Sequence, residues 1–193
     1  MHHLFDEEDG ANYINPIQSS YRGYYALVKS GLEEPLSTHS DHFATNRAYG
    51  TGSYGKGAMS VHQLGYIIGQ DLMKQGMRRY YNAWKFTHPN KIAFIRIMEK
   101  ESGLELDWYY DYWVNTTHTI DYGIADVSDE GGSTAVTLER VGMMPMPGEL
   151  VVTYTDDTQE TFYTALGLMR GEKTPDTDMG WTMLSDWPLV NPE

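Results

Sequence analysis

The feature that most constrains this chain is a change of pattern near residue 118. Before it, apolar residues recur at helical spacing. After it, the segments read as strands. Ala58, Val61, Leu64, Ile68 and Leu72, with Ile67 beside them, fall on one face at intervals of three and four and predict the most secure helix of the chain. From Ile120 onward, strand-like segments around 120–127, 134–140, 149–155 and 160–168 are separated by Asp, Gly and Pro. Val151-Val152-Thr153-Tyr154 and Thr161-Phe162-Tyr163 flank Asp156-Asp157-Thr158, a strong hairpin signal. The expected fold class is α+β, with a helical region over 1–118 followed by a small β-sandwich over 119–193.

Within the helical region a short helix is expected from Ser19-Ser20 to Lys29, ending at Gly31. Residues 33–53 hold Pro35, several Ser and Thr and the Gly50/Gly52 pair, a composition that predicts irregular backbone. A second helical run, Met73 to Trp84, is expected after a bend near Gly76, and His88-Pro89-Asn90 ends it and caps a third helix containing Ile92, Ile95 and Met98. Gly103 closes that helix, and Leu104 to Asn115 predicts a fourth whose Trp108, Tyr109, Tyr112 and Trp113 read as packing residues. Residues 1–18, with the acidic run Asp6-Glu7-Glu8-Asp9, read as a tail or as part of an element whose partner is missing.

Composition narrows the partners. Forty per cent of the 193 residues are hydrophobic and 13% aromatic, which suits a folded protein. Lys and Arg total 14 against 27 Asp and Glu, a net charge of −13 that repels a phosphate backbone, so nucleic acid is not an expected partner. No run approaches the roughly 20 apolar residues of a membrane helix, and MHHLFDEEDG lacks the apolar core of a signal peptide. A membrane is therefore not an expected partner either. The absence of cysteine excludes disulfides and thiolate chemistry, and it leaves bacterial cytoplasm and periplasm equally open.

The strongest chemical signal is Tyr54-Gly55-Lys56-Gly57-Ala58, where a Gly-rich stretch enters the most secure helix. The glycines let backbone pass close to a neighbour, and a tyrosine there projects a phenol, a hydrogen-bond donor at neutral pH, or else packs on its surroundings. Around it stand Ala48-Tyr49 five residues earlier, the helix KGAMSVHQLGYIIG, then YYNAWKFTHPN, FIRIMEKESGLELDWYYDYW and TIDYGI, and later LERVGMMPMPGELVVTY and DWPLVNPE. In this order the segments resemble the aminopeptidase N family of zinc metallopeptidases, bacterial type, over about residues 20–193. The resemblance implies that residues 1–118 are the helical C-terminal part of a thermolysin-like catalytic domain, and that the parent enzyme removes N-terminal residues from peptide substrates. It further implies that Tyr54 is catalytic, donating a hydrogen bond to the oxyanion of the tetrahedral intermediate, and that Tyr49 lines the substrate site. Lys56 reads as a helix-start or salt-bridge residue.

The family's zinc is held by a His-Glu-x-x-His helix and a following glutamate, and this chain contains neither. The expectation is therefore a fragment of a zinc enzyme that carries no metal ligands itself and is inactive alone, zinc being the cofactor of the full-length parent. His39-Ser40-Asp41-His42 spaces its histidines three apart in an expected loop with no glutamate between, which suits a turn better than a metal site. Asp107, Asp111 and Asp121 read as capping or solvated groups, His62 and His88 as isolated packed residues, and no Walker loop or Gly-x-Ser-x-Gly elbow occurs. A fragment that has lost a neighbouring domain exposes the surface that domain covered, so self-association is an expected partner mode. The alternative is a non-catalytic helical plus β-sandwich interaction module.

Overall fold

A computed structural model describes residues 17–164 and 166. The chain is mixed α+β and divides into two compact units between Thr117 and His118. No described helix is long and apolar enough to cross a membrane. The acidic run at 6–9, His2-His3, the far end of the expected strand 160–168 and the terminal DWPLVNPE lie outside the described residues.

In the helical unit, α1 spans Gln18–Ser30 and ends where Gly31 turns left-handed at φ 68, its N–H donating to the Val28 carbonyl. A single 3₁₀ turn follows at Ser40–His42. The stretch expected to be irregular is helical in its second half. Thr45 caps α2 (Asn46–Gly50) by accepting from the Ala48 N–H at 3.0 Å, and a π-helical turn continues over Thr51–Lys56 into α3 (Gly57–Ile68). Glycines that signal a loop by composition serve close approach here. A Cβ on Gly55 would lie 3.6 Å from the Ser20 carbonyl oxygen, so the π-turn packs backbone against backbone on α1.

The expected bend is misplaced by seven residues. It falls at Gly69, whose φ of 87° separates α3 from α4 (Gln70–Trp84), while Gly76 sits buried inside α4. A Cβ on Gly76 would overlap the Met98 sulfur and stand 3.0 Å from Met98 Cε, so this glycine is the notch into which the neighbouring helix's methionine fits. That helix, α5 (Ala93–Ser102), is capped by Asn90, whose Oδ1 accepts from the N–H groups of Ile92 and Ala93 at 3.1 and 2.9 Å, and it closes at left-handed Gly103. Between α4 and α5, Phe86 holds φ 63 and is 97% exposed. The aromatic helix α6 (Asp107–Asn115) starts three residues later than its pattern suggests, and ahead of it the N–H groups of Leu104 and Leu106 donate to Ser102 Oγ and Glu99 Oε1. Leu27, Leu64, Ile68, Met98, Leu106 and Tyr109 are buried at the centre of this unit, with Tyr109 donating to the Ser60 carbonyl of α3.

The second unit is built from two antiparallel hairpins. β1 (Tyr122–Asp129) pairs with β2 (Thr134–Arg140) across an irregularity between Ile124 and Asp126, and β3 (Gly148–Thr153) pairs with β4 (Gln159–Thr164) from Gly148↔Thr164 to Thr153↔Gln159. The expected turn is present. Asp157 is left-handed at φ 64, and Asp156 Oδ1 accepts from the Thr158 N–H at 3.1 Å. Among the described residues these are two separate two-stranded sheets. The connecting segment is the buried part of the unit: Met144 and Met146 are nearly inaccessible, Met144 N–H donates to the Thr119 carbonyl, and Met146 N–H donates to the Tyr122 phenol oxygen at 2.9 Å.

Candidate functional site

The π-turn separates side chain from backbone. Gly52, Gly55 and Lys56 are buried, and Tyr54 between them is 76% exposed. One extra residue per turn widens the helix at this point, a feature seen often at functional sites. Gly55 brings the turn's backbone against Ser20 and Tyr24 of α1, and the Tyr54 ring is the part that reaches solvent.

Lys56 anchors the turn. Its ammonium is fully buried, lies 2.6 Å from Glu33 Oε1 and donates to the Thr116 carbonyl at 2.7 Å, just past the end of α6. Tyr24 of α1 donates its hydroxyl to the same Glu33 oxygen at 3.4 Å. Burial pulls the Lys56 ammonium below the ordinary lysine range, and the hydrogen bond and charge of Glu33 oppose that shift. The Tyr24 phenol is pushed up, first by burial and then by the charge and hydrogen bond of Glu33. The salt-bridge reading of Lys56 thus has its partner in Glu33. No sequence signal links the two, because they lie 23 positions apart in different elements.

Tyr49, on α2, is 40% exposed, and its ring packs edge-on against Phe43 with centroids 5.5 Å apart. The ring partner of Tyr49 is therefore Phe43, while Tyr54 stands free of ring contacts among the described residues. A groove of about 470 Å³ lies along α3 and α4, lined by Val61, His62, Gly65, Gln70 and Met73 among others, and neither Tyr49 nor Tyr54 lines it. Among the described residues His62 is its single titratable wall residue, and they bring no paired acid and base to it.

Several of the remaining polar candidates are committed to local contacts. The His39 and His42 rings are exposed with centroids 5.3 Å apart, but His39 Nδ1 accepts from the Asp41 N–H, which commits that lone pair to the turn. A carboxylate trio that sequence reading missed, Glu99, Glu105 and Asp107, brings its oxygens within 4.8 Å of one another. Arg96 neutralises two of the three, with Nη1 at 2.7 Å from Glu99 Oε2 and Nη2 at 3.2 Å from Asp107 Oδ1, and Glu99 Oε1 is spent on the Leu106 N–H. Structural and catalytic zinc sites use His, Cys and carboxylate in tetrahedral sets. An arginine-bridged carboxylate trio and a turn-bound histidine do not fit that ion. Asp111 accepts from the Asn115 side chain at 3.0 Å, a local helix-surface contact rather than one half of a facing acid pair.

Compared with known proteins, the chain matches no family model, no curated protein and no solved structure.

Proposed function

We propose that this chain is the tyrosine-bearing C-terminal part of a zinc aminopeptidase, in which Tyr54 stabilises the transition state of peptide hydrolysis. The observation that supports this most is the pairing of a 76%-exposed Tyr54 with a fully buried Lys56 two residues later, on a π-turn whose Gly55 lies against α1. A hydrogen-bond donor held on a fixed base is what oxyanion stabilisation requires, since the donor must not reorganise as charge develops. In this reading residues 1–118 complete a thermolysin-like catalytic domain and residues 119–193 form a β-sandwich. The metal ligands, the attacking water and the pocket for the peptide's first side chain belong to the rest of the parent, and Tyr49 lines the substrate side of the same cleft.

The test is Tyr54→Phe in the parent polypeptide. Turnover on amino-acid amides should fall about 10²–10³-fold with KM little changed, because the hydroxyl matters only when the carbonyl oxygen becomes an oxyanion. Tyr49→Phe should cost less. Turnover within about threefold of the parent after Tyr54→Phe would overturn the proposal. Phe86, 97% exposed on the loop before α5, favours the competing reading of an interaction module. That reading gains if Tyr54→Phe is silent while Phe86→Ser abolishes self-association in sedimentation experiments.

A further inference from the structure

Buried ion pairs contribute little net stability compared with well-packed apolar residues of the same size, and their best-attested use is to fix one arrangement among several. The Glu33–Lys56 pair has the geometry for that use. Its two side chains are 5% and 0% exposed, and it draws together four separate parts of the helical unit: Tyr24 on α1, Glu33 in the loop after it, the last residue of the π-turn, and the Thr116 carbonyl beyond α6. A π-turn holds one residue more than an α-helix would hold in the same span, so it is the less stable arrangement and needs something outside the helix to maintain it. Relaxation to α-helix would rotate Tyr54 by the angular step of one residue, about 100° for 3.6 residues per turn. That rotation would carry the phenol from solvent toward a flank of the helix.

We propose that Glu33 and Lys56 are positioning residues whose buried contact holds Thr51–Lys56 in its π register, and thereby sets the direction in which Tyr54 presents its hydroxyl. The inference rests on the reading of Tyr54 as the working group of the site, but the register itself is a property of this chain and is measurable without any substrate. Lys56 fixes the C-terminal end of the turn. The Thr45 cap and α2 fix the N-terminal end. The surplus residue cannot leave without breaking one of the two. Gly55 supplies the close approach to α1 but no direction, because it offers no side-chain group that distinguishes one register from the next.

The experiment uses the present chain with 3-fluorotyrosine at position 54, in the parent sequence, in Glu33→Gln, and in the double variant Glu33→Leu/Lys56→Met, which replaces the pair by apolar groups of similar volume. The readouts are the fluorine resonance of residue 54 and the amide exchange of Thr51–Lys56, each compared with α1 and α3 as internal controls. The expected result for the double variant is a melting temperature near that of the parent sequence, exchange in Thr51–Lys56 accelerated at least about tenfold relative to α1 and α3, and a shifted or split fluorine line. Glu33→Gln keeps an acceptor and the volume but leaves the buried Lys56 ammonium without its counter-charge, so it should move the same readouts in the same direction and also lower the melting temperature, which the double variant avoids. If the double variant fails to fold, Glu33→Gln alone carries the comparison. Parent-like exchange and an unmoved fluorine line in whichever of these variants folds would overturn the proposal and leave the pair a stabilising contact only. Failure of the Tyr54 reading shows elsewhere, as unchanged turnover after Tyr54→Phe, and leaves these spectra unaffected.

Discussion

Replacing Gly76 by alanine sets two effects of known size against each other. Alanine is better than glycine in a helix interior by about 1 kcal/mol, so Gly76→Ala would stabilise α4 if the site were open. It is not open. The added methyl would overlap the Met98 sulfur, and Met98 is 0% exposed on α5, so its side chain has no solvent into which to retreat. Overpacking of this kind costs about 1–3 kcal/mol, and the three rotatable bonds of methionine favour the lower half of that range. The expected balance is a net loss of up to about 1 kcal/mol, a fall of roughly 4–8 °C in melting temperature for a unit of this size. Urea and thermal unfolding followed at 222 nm report the helical unit. A double-mutant cycle isolates the cause. Met98→Ala alone should cost about 2–5 kcal/mol, and in the Gly76→Ala background the new methyl fills part of the space, so the two losses should fall short of their sum by at least about 1 kcal/mol. A Gly76→Ala protein stabilised by the full helix-propensity gain, or losses that add within about 0.5 kcal/mol, would refute the packing account.

Two further outcomes follow from the backbone and from the buried phenols. Phe86→Gly should raise stability by a few tenths to about 1 kcal/mol, since a left-handed non-glycine residue costs about 1–2 kcal/mol and glycine returns about 0.5–1 in unfolded-state freedom. With the ring 97% exposed there is little packing to lose, so a destabilised Phe86→Gly protein in urea titration would contradict this. Alkaline titration at 295 nm should show Tyr24 and Tyr109 ionising only as the helical unit unfolds, because burial raises both phenols above the usual tyrosine value. A raised acid holds its proton in the folded state, so the stability it contributes is complete below pH ~10 and is lost as pH climbs above that value. The depressed Lys56 works in the opposite sense just below its ordinary value of 10.5, so the decline should be read above that point. All phenols titrating together with the far-UV signal intact would refute it.

Local rules made much of the architecture legible. Asn90 caps α5, Gly31 and Gly103 end α1 and α5 in left-handed conformation, and Asp156-Asp157-Thr158 turns the second hairpin, each from chemistry confined to a few neighbouring residues. What escaped was set at long range. Gly69 and Gly76 look alike in sequence, and the reason Gly76 stands inside a helix, the close approach of Met98, comes from another element. The glycines around Tyr54 carry a loop composition, yet their backbone is helical, and Gly55 lies against α1. The contact that precedes α6, Glu99 Oε1 accepting from the Leu106 N–H, joins residues seven apart and is not signalled by the aromatic pattern of the helix. Of the candidate site, the tyrosine and the lysine were visible as a motif, whereas Glu33 and the Thr116 carbonyl were not, because an ion pair between distant elements leaves no trace in spacing.

The two hairpins have a consequence for handling the protein. Each described sheet has two strands, so each strand has one edge whose backbone donors and acceptors find no neighbour within its sheet. Such edges are templates for pairing between molecules. The irregularity between Ile124 and Asp126 interrupts one of them, and Asp126, Asp129 and Glu139 place negative charge along that ribbon. On the other ribbon Val151 and Phe162 are exposed beside Glu149 and Glu160. Mutual repulsion between like-charged ribbons then works against lateral association, and added salt, which screens exposed charges, would weaken it. Lateral assembly through the exposed edges of the β3–β4 ribbon is then the expected hazard of storing the protein at high salt.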